Sequence, residues 1–303
     1  VLGRLSVATA LLMYVLIVIG SVVRTTGSGL ACPDWPLCHG RLIPPFEFHV
    51  LIEWFHRLVA LLVSVLVFAT AGWTLAHGAT RARLGGFAVL AVALLLAQVV
   101  LGALTVWKLL SPSIVSSHLA VALLLFATLL AISLIATSEA SPAGRFASDE
   151  RPAGALPLFG AATLLTYAQA VLGGVVSTNH AGLACPDWPT CDGQWFPPME
   201  GLVGLQMMHR YGAYTLVLVM IAVALRARTV PDGAIRAGGS LALSLTLAQV
   251  VLGVCNVLLG TPAWLSAAHL ATAAAILAVL VITTWRVARL PGRILELAAE
   301  GAR

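Results

Sequence analysis

The chain has 303 residues, 60% of them hydrophobic and only 10% charged. A water-soluble globular surface needs far more charge, so a soluble enzyme or binding module of this length is excluded. The 17 Lys and Arg against 12 Asp and Glu leave a net charge of +5, and their placement, described below, is that of a membrane protein and requires no nucleic-acid partner.

Eight apolar runs are long enough to cross roughly 30 Å of hydrocarbon. They fall at 5–24, 52–76, 84–107, 114–137, 156–177, 203–226, 236–259 and 264–286. Turn and polar residues mark their ends: Gly78 to Arg83, Ser111-Pro112, the stretch 138–155, Pro231-Asp232-Gly233 and Thr261-Pro262. The pattern predicts an all-α membrane protein with eight transmembrane helices. Only Arg24, Arg41, Arg57, Lys108 and Arg210 fall on one side of the membrane, and the other twelve basic residues fall on the opposite side. The positive-inside rule therefore predicts a protein of the cell membrane with both termini in the cytoplasm.

Between the first and second runs stands the string from Gly29 to Cys38, Gly-Leu-Ala-Cys-Pro-Asp-Trp-Pro-Leu-Cys. It recurs between the fifth and sixth runs from Gly182 to Cys191, with Thr190 in place of Leu37. At the same offset of 153, Tyr14 matches Tyr167, Gly20 matches Gly173, Pro44-Pro45 matches Pro197-Pro198 and His56-Arg57 matches His209-Arg210. From the third run onward the offset is 151: Ala97 to Gly102 recurs as Ala248 to Gly253, and His118 recurs as His269. The chain is one module written twice. The expected organisation is a four-helix half over 1–137, a cytoplasmic linker over 138–155 and a second four-helix half over 156–303. Because four is even, the halves share an orientation, as two tandem four-helix bundles related by a pseudo-two-fold axis along the membrane normal.

Of the eight histidines only His56, His118, His209 and His269 have counterparts. Each is expected one or two turns into an even-numbered helix entering from the outer face. The two histidines of a half therefore lie at similar depth, on neighbouring helices. Such a pair can ligate one iron porphyrin from its two faces, which accounts for imidazoles in hydrocarbon, where they need a partner. The alternative for any one of them is hydrogen bonding or proton handling. A zinc site fits less well, because no third ligand recurs beside them.

Cys32/Cys38 and Cys185/Cys191 lie in the outer loops, on the oxidising side, where each pair can close a disulfide. A structural clip, a redox-active dithiol and a metal site are the competing roles. Cys255 is a lone thiol expected to pack as a small apolar residue. Trp35 and Trp188 read as interfacial aromatics, and Gln98 and Gln249 as interhelical hydrogen-bonding residues.

The halves differ at Glu53, three residues before His56, where the second half has Gln206. A carboxylate at the edge of the bundle needs a role or a partner. The partner would be Arg57, Arg24 or the positive end of the helix dipole. The role would be chemistry confined to the first half. Arg57 and Arg210 could meet heme propionates or snorkel to lipid headgroups.

These residues resemble the heme A synthase family, in its bacterial eight-helix form with Cys pairs in both outer loops. The resemblance covers nearly the whole chain: Glu-x-x-His opening the second helix, His118 opening the fourth, and the His209/His269 pair in the second half. It implies oxidation of the C8 methyl of heme O to a formyl group by successive oxygen-dependent hydroxylations, the resulting gem-diol losing water. It also implies a resident heme b held by His209 and His269, a substrate heme O site lined by His56 and His118, and Glu53 as the essential carboxylate there. Cys32–Cys38 and Cys185–Cys191 would be loop disulfides. Molecular oxygen would be the oxidant, an unidentified donor would supply electrons, and a heme O synthase and a second copy of the chain are conceivable partners. Three other readings stay open on the residues alone: a di-heme cytochrome b-type electron carrier, a thiol/quinone oxidoreductase, and a transporter suggested by the repeat.

Overall fold

The computed structural model describes residues 1–138 and 151–291. Most of the linker expected over 138–155, together with Arg145, Arg293 and Arg303, lies outside the described residues. The described residues contain eight helices long and apolar enough to cross a membrane. They are α1 (Leu2–Thr25), α2 (Phe48–Ala76), α3 (Gly78–Trp107), α4 (Pro112–Ser138), α5 (Ala155–Thr178), α6 (Gly201–Arg228), α7 (Gly233–Leu258) and α8 (Ala263–Ala288). Most outrun their apolar runs. The largest difference is at α3, which begins at Gly78 rather than near residue 84, because the helix continues through a polar first turn carrying Arg81 and Arg83.

The ends follow local chemistry. Pro112 opens α4 and Pro262 precedes α8, where a missing N–H leaves no helical bond unmade. Asp232 caps α7, accepting from the N–H groups of Ala234 at 2.7 Å and Ile235 at 3.3 Å. The α3–α4 and α7–α8 turns repeat one another. Leu110 donates its N–H to the Thr105 carbonyl at 2.8 Å, and Thr261 donates to Asn256 at 2.7 Å. Leu110 and Thr261 both take the left-handed conformation, at φ 58°.

Helix α1 packs on α2 and α4, α2 on α3, and α3 on α4, closing a ring of four; α5 to α8 repeat the pattern. The histidine-bearing helices α2 and α4 are therefore diagonal across their ring, as are α6 and α8, rather than neighbours as expected. Neighbouring helices pack at about 8–10 Å, which leaves no room for a flat ligand between them. A diagonal pair does.

The rings meet where α1 packs on α8, α4 on α5 and α4 on α8. Two tyrosines cross this boundary reciprocally: Tyr14 donates to the Ala271 carbonyl at 3.1 Å and its counterpart Tyr167 to Ala120 at 3.2 Å. One apolar core runs through both rings, from Met13, Leu123 and Leu129 to Ala274 and Leu277. Helix α4 is the interior element, with 44% of its span buried, whereas α7 has 11%. Outward faces are as apolar as the core, for example Phe55, Leu58, Leu61, Leu62, Val65 and Phe68 on α2, as a hydrocarbon solvent requires.

Candidate functional site

His56 and His209 each lie eight residues past the start of their helix, and His118 and His269 six residues past. At 1.5 Å per residue these are depths of about 12 Å and about 9 Å, so both members of each pair stand near one level. Each imidazole lies against a glycine of the preceding helix. A Cβ would stand 3.1 Å from Cε1 of His56 if added at Gly20, 3.4 Å from that of His118 at Gly102, 2.9 Å from that of His209 at Gly173 and 3.0 Å from that of His269 at Gly253. The space each ring occupies exists because the facing residue has no side chain. The recurrence of these glycines was visible in the sequence, but their task was not, because it depends on which helix faces which.

The rings of His209 and His269 have centroids 6.5 Å apart, with planes at 72°. A metal–nitrogen bond of about 2.0 Å to each ring, plus about 1 Å from nitrogen to ring centre, would set two imidazoles that share one metal ion roughly 6 Å apart. The pair fits a metal between its rings. His56 and His118 are likewise close enough to interact electrostatically. Nδ1 of His56, His118 and His269 has no hydrogen-bond partner; His269 faces the Gln249 backbone carbonyl without reaching hydrogen-bond geometry. Among the described residues no group of three or more His, Cys, Asp or Glu gathers as a metal cage. Two-imidazole ligation of a porphyrin iron, which brings its own four nitrogens, suits these residues better than zinc.

Glu53 is buried and spoken for. Its Oε1 lies 2.5 Å from Nη2 of Arg57, and its Oε2 accepts the N–H of Cys32 at 2.8 Å. Helix α2 starts at Phe48, so Glu53 stands beyond the first turn and its partner is Arg57 rather than the helix dipole. Arg57 also donates to the carbonyls of Asp34 and Leu37, both at 2.6 Å, and of Cys32 at 2.9 Å. Arg210 does the same in the second half, donating to Cys185 at 2.6 Å and to the Thr190 carbonyl. Both guanidiniums are thus turned into their loops. Gln206 is as buried as Glu53, and its Oε1 has no hydrogen-bond partner. The Oε1 atoms of Gln98 and Gln249 also lack partners.

Each gripped loop is closed by a disulfide, Cys32–Cys38 and Cys185–Cys191, with Cα atoms 4.7 and 4.8 Å apart. Cys255 is free and half-buried. Inside the first loop Asp34 accepts the N–H groups of His39 at 2.6 Å and Gly40 at 2.8 Å, and the Gly40 N–H above all holds its carboxyl below the usual range. In the second, the Thr190 hydroxyl, followed by the N–H groups of Asp192 and Gly193, brings the Asp187 carboxyl down to about 2. Trp35 packs edge-on against Trp107, with centroids 6.0 Å apart.

Fold and site together define a multi-pass membrane protein with two pairs of histidines on diagonal helices, each beneath a disulfide-closed loop. The family model described as cytochrome oxidase assembly protein (COX15-CtaA) matches residues 3–49 and 45–281. The heme A synthase of Shouchella clausii is 33% identical over 226 residues, covering 73% of this chain and 74% of that protein. That of Symbiobacterium thermophilum is 30% identical over 263 residues, 83% and 84% of the two chains. That of Shewanella oneidensis is 28% identical over 314 residues, 90% and 92%. The chain belongs to the COX15/CtaA family of heme A synthases. It is an oxidoreductase and a multi-pass membrane protein, and its family implies heme handling with heme O as substrate.

Proposed function

We propose that the second half holds a resident heme b between His209 and His269, and that the first half binds heme O between His56 and His118 and oxidises it. The halves form tandem bundles about a pseudo-two-fold axis along the membrane normal, with both termini in the cytoplasm. The reaction is oxidation of the C8 methyl to a formyl group in two hydroxylations, each consuming one O2, two electrons and two protons and releasing water, after which the gem-diol loses water. Bound heme iron supplies the oxidising power that no side chain has.

The protein's own residues do the rest. Gly20 and Gly102 let the two imidazoles approach from diagonal helices, and the apolar ring of helices keeps water out. Glu53 is the proton-handling group of the first half. Held by Arg57 and by the N–H of Cys32, it stands where it can pass protons inward from the outer face. Gln206 cannot do this, which confines the chemistry to one half.

The observation that carries the reading is the 6.5 Å separation of two imidazoles on diagonal helices, in a module whose other copy alone carries a carboxylate. Purified protein is to be supplied with heme O, a reductant and O2, and its pigments extracted. Formyl porphyrin is the expected product, and H209A is expected to remove the resident pigment. Reversible reduction with no formyl product would make the protein a di-heme carrier and end this proposal.

A further inference from the structure

Among the other matched positions at which the two halves differ, one set lies beside a paired histidine. Gln169 on α5 turns its amide to His209: Nε2 lies 3.0 Å from Nδ1 of the ring and donates to the His209 backbone carbonyl at 2.7 Å. Gly212 on α6 makes room for it, since a Cβ there would collide with Oε1 of Gln169. At the 153-residue offset the first half has Leu16 and Val59. Leu16 packs in the apolar core and Val59 is buried. In consequence Nδ1 of His56 has no hydrogen-bond partner. Across each ring, Nδ1 of His118 and of His269 alike have no hydrogen-bond partner, although His269 faces the Gln249 backbone carbonyl.

The two substitutions belong together. A glutamine at position 16 would meet the Val59 side chain, and a leucine at 169 would leave its hydrogen-bonding duty undone beside a gap at Gly212. Gln169 with Gly212 is one packing solution, and Leu16 with Val59 is the other.

A hydrogen bond to the outer nitrogen of a metal-binding imidazole fixes the ring's orientation and its basicity, and losing it typically costs 10–100-fold in affinity. As placed, the Gln169 amide donates to Nδ1 and to the backbone carbonyl through one nitrogen; turned over, its oxygen would accept from a protonated Nδ1. A cofactor must stay through every turnover, whereas a product must leave after one. We propose that Gln169 and Gly212 make His209 a permanent ligand, and that Leu16 and Val59 make His56 a releasable one. This set of residues decides which half keeps its heme and which exchanges it. The proposal rests on the reading that both histidine pairs hold heme. Gln169 is a positioning residue, acting through His209 without touching the substrate.

The test uses the full chain in detergent, with heme content per chain and the rate of heme transfer to apomyoglobin as readouts. Q169L/G212V, which installs the first-half pair in the second half, is expected to release resident heme 10–100-fold faster and to shift its reduction potential. L16Q/V59G is expected to retain a second heme through purification and carries the test alone if Q169L/G212V does not accumulate. Release rates within twofold of wild type in Q169L/G212V, or no added retention in L16Q/V59G, would overturn the proposal while leaving the proposed function standing. A wild-type chain whose heme content is unaffected by H209A would overturn the proposed function and this inference with it.

Discussion

Replacing Gly173 by alanine tests the histidine–glycine packing most directly. The added methyl would stand 2.9 Å from Cε1 of His209, against a favourable carbon–carbon separation of about 3.5–4.0 Å. Ring or helix must therefore give by roughly 0.6–1.1 Å, more than the roughly 0.5 Å within which a preorganised site must hold its ligands. Overpacking of this kind costs about 1–3 kcal/mol. If that cost falls on the ligand-bound state it lowers heme affinity roughly 5–150-fold, at tenfold per 1.4 kcal/mol. The matched control is Gly160→Ala on the same helix, where a Cβ meets nothing within 4 Å. Gly253→Ala, whose added methyl would stand 3.0 Å from Cε1 of His269 across the same ring, should act in the same direction. Heme per chain after purification and the rate of heme loss to a scavenger report the result. If G173A and G160A retained heme equally and lost it at the same rate, the argument that the glycine makes room for a ligand would be wrong.

Three further outcomes follow from the same geometry. Glu53→Gln gives the first half the second half's residue and breaks the Arg57 pair; formyl product should vanish while resident heme content stays at the wild-type level, both read from extracted pigments. Cys185→Ser with Cys191→Ser removes a closed loop worth about 2 kcal/mol by chain entropy. A lowered Tm in detergent with heme still bound is expected, whereas lost turnover at unchanged Tm would give the thiols a redox role. Acid should loosen the second disulfide-closed loop through Asp187. Its carboxyl is depressed from 3.8 to about 2, so the stabilisation is complete above pH ~4 and fades as pH falls toward 2. Hydrogen exchange of residues 185–194 measures this, and Asp187→Asn should flatten the dependence; an unchanged profile in that variant would refute it.

The eight helices were legible because hydrocarbon tolerates neither a broken apolar run nor an unpaired backbone. Their starts were less so, since α3 forms its first turns from residues as polar as Thr80, Arg81 and Arg83. The four histidines stood out only because the chain repeats itself and so acts as its own alignment. The same comparison flagged Glu53 against Gln206, where a charge changes, but passed over Gln169 against Leu16 and Gly212 against Val59. Those differences mean nothing until α5 and α6 are seen side by side. The diagonal placement of α2 and α4 was hidden for a related reason, because helix order along the chain does not say which faces meet. Arg57 and Arg210 were the hardest to read. Their partners are loop carbonyls, and carbonyls are present at every residue, so no sequence pattern announces them.

His56 and Arg57 are consecutive residues of one helix, yet one lies against Gly20 of the neighbouring helix while the other grips the disulfide-closed loop through three carbonyls and pairs with Glu53. A helix turns as a rigid rod. Any rotation of α2 that swings the imidazole must also tug the knot of backbone above it, and anything that seizes that knot from outside the membrane must be felt at the ring. The lid and the ligand are two ends of one lever.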